Sequence, residues 1–153
     1  MKAQVRFWGE HIMHTVNEKA KDKVKNQVKD FLASSLIHIS ARMTVFEACK
    51  RMKKYNVDAI LVSEGKNYVG IFTEADLLKK VVAVNEYPGS TTVFKVMTKE
   101  MLYIDSESSM VAAFVKMQTK NIRHLIVKEN NDIKGILSIK DIANYYVNKF
   151  SKV

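Results

Sequence analysis

A hydroxyl side chain followed three residues later by an aspartate occurs twice: Thr73 with Asp76 in VGIFTEADLL, and Ser138 with Asp141 in KGILSIKDIA. Each hydroxyl stands where a strand-like apolar pattern gives way to a helical one, so each pair falls on a helix N-terminus. Unpaired amides and the positive end of the helix dipole make that position a site for phosphate, and the hydroxyl adds a donor. The carboxylate, about one turn into the helix, is placed to accept from both hydroxyls of a ribose. The same spacing also makes a capping box, in which hydroxyl and acid each satisfy a backbone amide. Glutamate or glutamine is the better capping partner, so aspartate in both copies leans toward the diol.

These pairs belong to a longer repetition. An offset of 65 residues joins Gly70 to Gly135, Thr73 to Ser138 and Asp76 to Asp141, and it continues without a gap through Val28/Val93, Ile39/Ile104, Ala48/Ala113, Met52/Met117, Asn56/Asn121 and Val62/Val127. One register held over about fifty residues is an internal duplication. Each copy reads as a strand, an amphipathic helix, two strands joined by a hairpin turn (GKN or NND) and a second helix. Val45, Ala48, Cys49 and Met52 form the inward face of the first helix, matched by Met110, Ala113, Phe114 and Met117. The second helices carry Leu77, Leu78, Val81 and Val82, and Ile142, Tyr145, Tyr146 and Phe150. Between the copies, VNEYPGSTT holds the only proline and reads as a linker. A three-stranded sheet with two helices leaves one sheet face uncovered, so the halves are predicted to pack sheet against sheet about a pseudo-twofold axis.

The 153-residue chain is 47% hydrophobic and 27% charged, a globular composition. No apolar run approaches the ~18 residues of a membrane span, and MKAQVRFWGEHIMH lacks the apolar core of a secretory signal. Cys49 is the single cysteine, so no disulfide forms within the chain, and the expected location is the cytoplasm. The net charge of +9 suits an acidic partner or serves solubility. Lysines 19, 21, 23, 25 and 29 flank an apolar stripe at Ala20, Val24, Val28 and Phe31, which reads as a solvated helix face; no aromatic residues are interleaved for stacking on bases. His11 and His14 share a helical face, but no third metal ligand is evident. Cys49 lies on the inward face of a helix as an inert thiol. No Walker loop, dinucleotide fingerprint or catalytic triad appears, so no catalytic activity is expected.

GIFTEAD and GILSIKD, set in a duplicated strand–helix–strand–strand–helix unit, resemble the cystathionine-β-synthase (CBS) domain pair, or Bateman module. VFKVMTKEMLYID is similar to that family's lead-in, with VKDFLASSLIHIS its weaker counterpart. The resemblance implies an α+β fold of tandem CBS domains, two β-α-β-β-α units at 28–84 and 93–153, joined by a linker at 85–92. An N-terminal helical extension, 1–27, with Phe7, Trp8, Ile12, Val16, Ala20 and Val24 at helical spacing, lies outside the resemblance. The implied function is regulatory: binding an adenine nucleotide or related adenosyl ligand (AMP, ADP, ATP, S-adenosylmethionine, NAD) in clefts between the repeats and signalling its level to a protein target, with no obligatory cofactor. In this family the hydroxyl and aspartate hold the ligand, a role that falls on Thr73, Asp76, Ser138 and Asp141. The adenine is gripped by the first strand and the loop entering the second. Those are Ile37, His38, Val57, Asp58 and Ala59 in copy one, and Leu102, Tyr103, Ile122, Arg123 and His124 in copy two.

Asp58 and Glu74 frame the first motif and Arg123 and Lys140 the second, so the second site is expected to favour phosphorylated ligands. Surplus apolar residues in LLKKVVAV and IANYYVNKF suggest a homodimer. The alternative function is a basic CBS-fold scaffold that binds nucleic acid.

Overall fold

The structure is a computed structural model that describes residues 26–32 and 36–151. Of the expected N-terminal helical extension only Asn26 and Gln27 are described, and Gln27 forms a β-bridge with Ser109 rather than helix; its other residues, with the His11–His14 pair, lie outside the described residues. Within them the first repeat runs β1 (His38–Ser40), α1 (Val45–Tyr55), β2 (Ala59–Glu64), β3 (Asn67–Thr73) and α2 (Glu74–Leu77), which continues as a π-helical turn over Leu78–Val82. The second opens with the short α3 (Val93–Val96) and runs β4 (Tyr103–Asp105), α4 (Met110–Lys120), β5 (His124–Glu129), β6 (Asp132–Ser138) and α5 (Ile139–Phe150). A 3-10 turn, Val28–Phe31, precedes the first repeat as α3 precedes the second.

Each sheet has its first two strands parallel and its last two antiparallel, in the orders β1-β2-β3 and β4-β5-β6. Register shifts fall at Val62/Ser63 and Val127/Lys128, positions related by the offset. The first helix of each repeat is built in the same way. Thr44 accepts from the Glu47 amide and Ser109 from the Ala112 amide, and Asn56 and Asn121 end the helices at φ 52°, a left-handed cap that asparagine tolerates. Hydrogen bonds from the Thr44 backbone and hydroxyl hold the Glu47 carboxyl below its ordinary pKa.

Strand alternation sorts the apolar residues into three layers. Ile60, Val62 and Phe72 face α1 in one core, while Leu125, Val127 and Leu137 face α4 and α5 in the other. The opposite strand positions, Ala59, Leu61, Ile71 and Ile126, pack with Tyr68, Tyr103, Ile133 and Ile136 in a layer between the two sheets. The expected sheet-on-sheet arrangement is the one observed.

The lead-ins are exchanged. Val93, Val96 and Met97 of the second repeat complete the first core, and Val28, Phe31 and Leu32 of the first complete the second. Backbone bridges mark both crossings, Thr44 with Thr92 and Gln27 with Ser109, and the two are related by the same offset. The exchange explains the repeated glycine. A Cβ on Gly70 would stand 2.7 Å from Met97 Sδ and 2.9 Å from the Thr98 carbonyl oxygen; one on Gly135 would stand 3.0 Å from Leu32 Cδ2.

The second helices carry more apolar residues than the interior takes up, the surplus their sequences suggest. Val81, Ile142 and Tyr145 are buried, but Leu78, Val82 and Phe150 are each about 60% exposed. Leu77 and Val81 meet the sheet four residues apart, and Leu78 and Val82 lie ~100° further round the helix, facing outward. Phe150 stacks on Tyr146 at the end of α5, beyond the core.

Gly70→Ala should destabilise the protein by about 1–3 kcal/mol in urea unfolding, through overpacking. Gly135→Ala should cost clearly less, because its clash is with the tip of a leucine side chain and not with backbone. Equal costs would contradict this account of the two glycines.

Candidate functional site

The end of β3 delivers Thr73 to the start of α2, and the end of β6 delivers Ser138 to the start of α5. Both capping boxes form. Thr73 Oγ1 accepts from the Asp76 amide at 3.2 Å, and Asp76 Oδ2 accepts from the Thr73 amide at 3.0 Å and its hydroxyl at 2.8 Å. Ser138 and Asp141 repeat this at 3.2, 2.8 and 2.7 Å. Capping and ligand binding therefore do not compete for the whole acid. The box uses one carboxylate oxygen, Oδ2, and leaves Oδ1 for another partner.

The two Oδ1 atoms differ. Asp76 Oδ1 accepts from Thr98 Oγ1 at 2.8 Å and pairs with Lys80 Nζ at 2.5 Å, and the aspartate is buried. Lys80 also donates to the Val96 carbonyl oxygen at 2.9 Å and lies 3.1 Å from Thr98 Oγ1. Among the described residues no hydrogen bond reaches Asp141 Oδ1.

Two clefts border the layer between the sheets. The first, about 830 Å³, is lined by Thr73, Asp76 and Thr98 together with Leu102, Ile122, Arg123 and His124. The second, about 800 Å³, is lined by Ser138, Lys140 and Asp141 together with Val57, Asp58 and Ala59. Each cleft thus sets the helix start of one repeat against the strand-entry loop of the other. Ile37, His38 and Tyr103 line neither. Ile37 packs against the first core; His38 sits 3.3 Å from Ser63 Oγ and edge-on to Tyr68; Tyr103 lies in the layer between the sheets under Lys128 Nζ.

This crossing corrects the expected charge asymmetry. Arg123 faces Thr73 and Asp76, not Ser138, while Asp58 faces Ser138 and Asp141. In the first cleft Lys79, Lys80 and Arg123 meet Glu74, Asp76 and Glu100. In the second Lys53 and Lys140 meet Asp58, Glu74 and Asp141. The first is formally balanced and the second slightly acidic, so charge gives the second no preference for phosphate. His124 lines both clefts, and its Nε2 lies 2.8 Å from Asp58 Oδ1, tying the two entry loops together.

Three contributors escaped the sequence reading: Lys80, Thr98 and Cys49. Lys80 is four residues after Asp76, the spacing of a helical ion pair, and was legible in principle. Thr98 reaches Asp76 only through the exchanged lead-in. Cys49 is half-buried and lines the second cleft, where burial pushes its thiol pKa up. Among the described residues no cluster of three histidine, cysteine or carboxylate side chains could hold a metal ion.

The CBS domain profile matches residues 28–83 and 93–148. The chain belongs to the CBS domain family. This CBS pair is 36% identical over 113 residues to the CBS domain-containing protein CBSCBSPB2 of Arabidopsis thaliana, an overlap of 73% of this chain and 21% of that protein; the chain spans about a fifth of such relatives. It is 31% identical over 119 residues to a 17.7 kDa protein of Acidianus ambivalens, 76% of this chain and 71% of that one. A CBS-domain containing protein of Agrobacterium tumefaciens superposes with TM-score 0.73 at 27% identity, covering 78% of this chain and 98% of that one. The CBS domain pair of protein MJ0100, in complex with 5′-methylthioadenosine and S-adenosyl-L-methionine, superposes with TM-score 0.72 at 25% identity, covering 80% and 97%.

The unequal acids predict unequal stability effects. Asp141→Ala removes a cap and should cost about 1 kcal/mol. Asp76→Ala also strands Lys80 and Thr98 and should cost about 2–3 kcal/mol. Urea unfolding of the two variants tests this, and a larger loss at Asp141 would contradict it.

Proposed function

We propose that this CBS pair is a non-catalytic regulatory module that binds an adenosyl ligand between its repeats and passes the ligand's level to a protein target. The observation that carries the reading is the composite cleft. A helix start with a hydroxyl and an aspartate from one repeat faces the strand-entry loop of the other, where Val57 and Ala59, or Leu102 and Ile122, give apolar surface for a base opposite the diol acceptor. The adenosyl ligands of protein MJ0100 support the same reading. Ser138, Lys140 and Asp141 are the proposed ribose contacts in the second cleft, and Thr73 and Asp76 hold the equivalent positions in the first. Val57, Asp58 and Ala59 are the proposed base contacts in the second cleft, and Leu102, Ile122, Arg123 and His124 are their counterparts in the first. The slightly acidic second cleft favours an uncharged or cationic adenosyl group over a polyphosphate.

The module acts in the cytoplasm as a homodimer in this proposal. Among the described residues no helix is long and apolar enough to cross a membrane. Leu78, Val82, Val147 and Phe150 expose apolar surface on the second helices of both repeats, with Val82 and Val147 at equivalent positions. A second copy of the chain is the proposed cover.

Thermal-shift measurements with AMP, ADP, ATP, S-adenosylmethionine, 5′-methylthioadenosine and NAD test the ligand class. A ligand at 100 times its dissociation constant should add about 2.7 kcal/mol of stability, and Asp141→Ala should remove the shift. Failure of every adenosyl compound, together with steeply salt-dependent binding of an oligonucleotide, would favour the nucleic-acid scaffold. Sedimentation equilibrium should show a dimer at tens of micromolar, dissociated by Phe150→Glu or Leu78→Glu; a wild-type monomer would rule out the proposed interface.

A further inference from the structure

Beyond the general reading of the clefts as adenosyl sites, on which it rests, the geometry assigns them different states. We infer that Lys80 and Thr98 lock the first cleft against a ribose, so that each chain takes one adenosyl ligand, in the second cleft. A diol approaching Asp76 must hydrogen-bond to Oδ1, because Oδ2 is held by the Thr73 amide and hydroxyl. Oδ1 already has a hydroxyl donor in Thr98 and a cation in Lys80. Lys80 adds charge–charge attraction to its contact with this oxygen, which a ribose hydroxyl, a neutral donor, does not supply. A ribose would therefore have to displace a more strongly held partner. Displacing Lys80 would also strip the Val96 carbonyl of its donor, at the point where the exchanged lead-in is pinned to α2.

Among the described residues the second repeat has no counterpart of this device. The offset places Tyr145 where the first repeat has Lys80, and the Tyr145 hydroxyl donates to Asn26 and not to Asp141. In sequence the offset aligns Thr98 with Ala33, a residue type without a side-chain hydroxyl. The backbone differs as well: Lys80 lies within the π-helical turn Leu78–Val82, whereas α5 runs through the equivalent positions as a regular α-helix. The departure from symmetry therefore includes the residue that makes the lock. Lys80 and Thr98 are specificity-determining residues of the first cleft, and their combined effect is to halve the stoichiometry that the duplication would otherwise provide.

The test uses the whole chain and 5′-methylthioadenosine, which has no phosphate to bind elsewhere on a basic protein. Calorimetry should give one ligand per chain. Cys49, the only cysteine, lines the second cleft and not the first, so its reaction with a thiol reagent reports which cleft is filled. Saturating ligand should slow that reaction at least severalfold. Lys80→Met combined with Thr98→Val should raise the stoichiometry to two and leave the Cys49 protection unchanged. Two ligands per wild-type chain, or one ligand with Cys49 unprotected, would overturn the inference while leaving the adenosyl reading intact. So would a folded double variant that still binds one. No binding to either protein would overturn both. The wild-type stoichiometry and the thiol protection decide the matter even if the double variant does not fold.

Discussion

The uncovered face of a three-stranded sheet is the constraint on which this molecule turns. Helices shield one face of each sheet, and Leu61, Ile71, Ile126 and their neighbours on the other face are covered by the opposite repeat. Burying that layer forces the two sheets together. The clefts follow from the same contact: Ile71 and Ile126 line the first, and Ala59 and Ile136 line the second. A site made this way belongs to neither repeat. Its helix start comes from one half and its entry loop from the other, so any molecule bound there touches both.

The exchanged lead-ins strengthen that dependence. Each core is closed by residues that precede the other repeat in sequence, and the glycines at 70 and 135 are the recesses that receive Met97 and Leu32. Neither half has a complete interior without the other, which is a strong reason for the pair to fold as one unit. The same exchange brings Thr98 to Asp76, so a device for closing the core also changes the chemistry of a cleft.

The aspartates show how structural and binding roles divide within one carboxylate. One oxygen completes the capping box and holds the helix start, and the other is left for a different partner. The capping reading and the diol reading of the motif are thus compatible at the level of atoms. What distinguishes the two repeats is the occupant of the second oxygen, a lysine and a threonine hydroxyl at Asp76.

Much of the fold was legible in the sequence, because local signals and the duplication agreed. Strand alternation, helical periodicity and the 65-residue offset marked the two units, the inward faces of α1 and α4, and the capped helix starts at Thr73 and Ser138. These features depend on neighbours a few residues apart, and a repeated pattern reports them twice. Tertiary structure alone decided which half of one repeat meets which half of the other. Periodicity carries no information about long-range pairing, so Arg123 was grouped with Ser138 and Asp58 with Thr73, when each faces the opposite motif. It also decided the fate of individual side chains whose type permits either face. His38 and Tyr103, on the edge strands β1 and β4, meet Ser63, Tyr68 and Lys128 outside the cleft linings, and the helix surface turned Leu78 and Val82 outward. The lock on Asp76 lay furthest from reach, since half of it comes from a lead-in that crosses to the other repeat before it meets the acid.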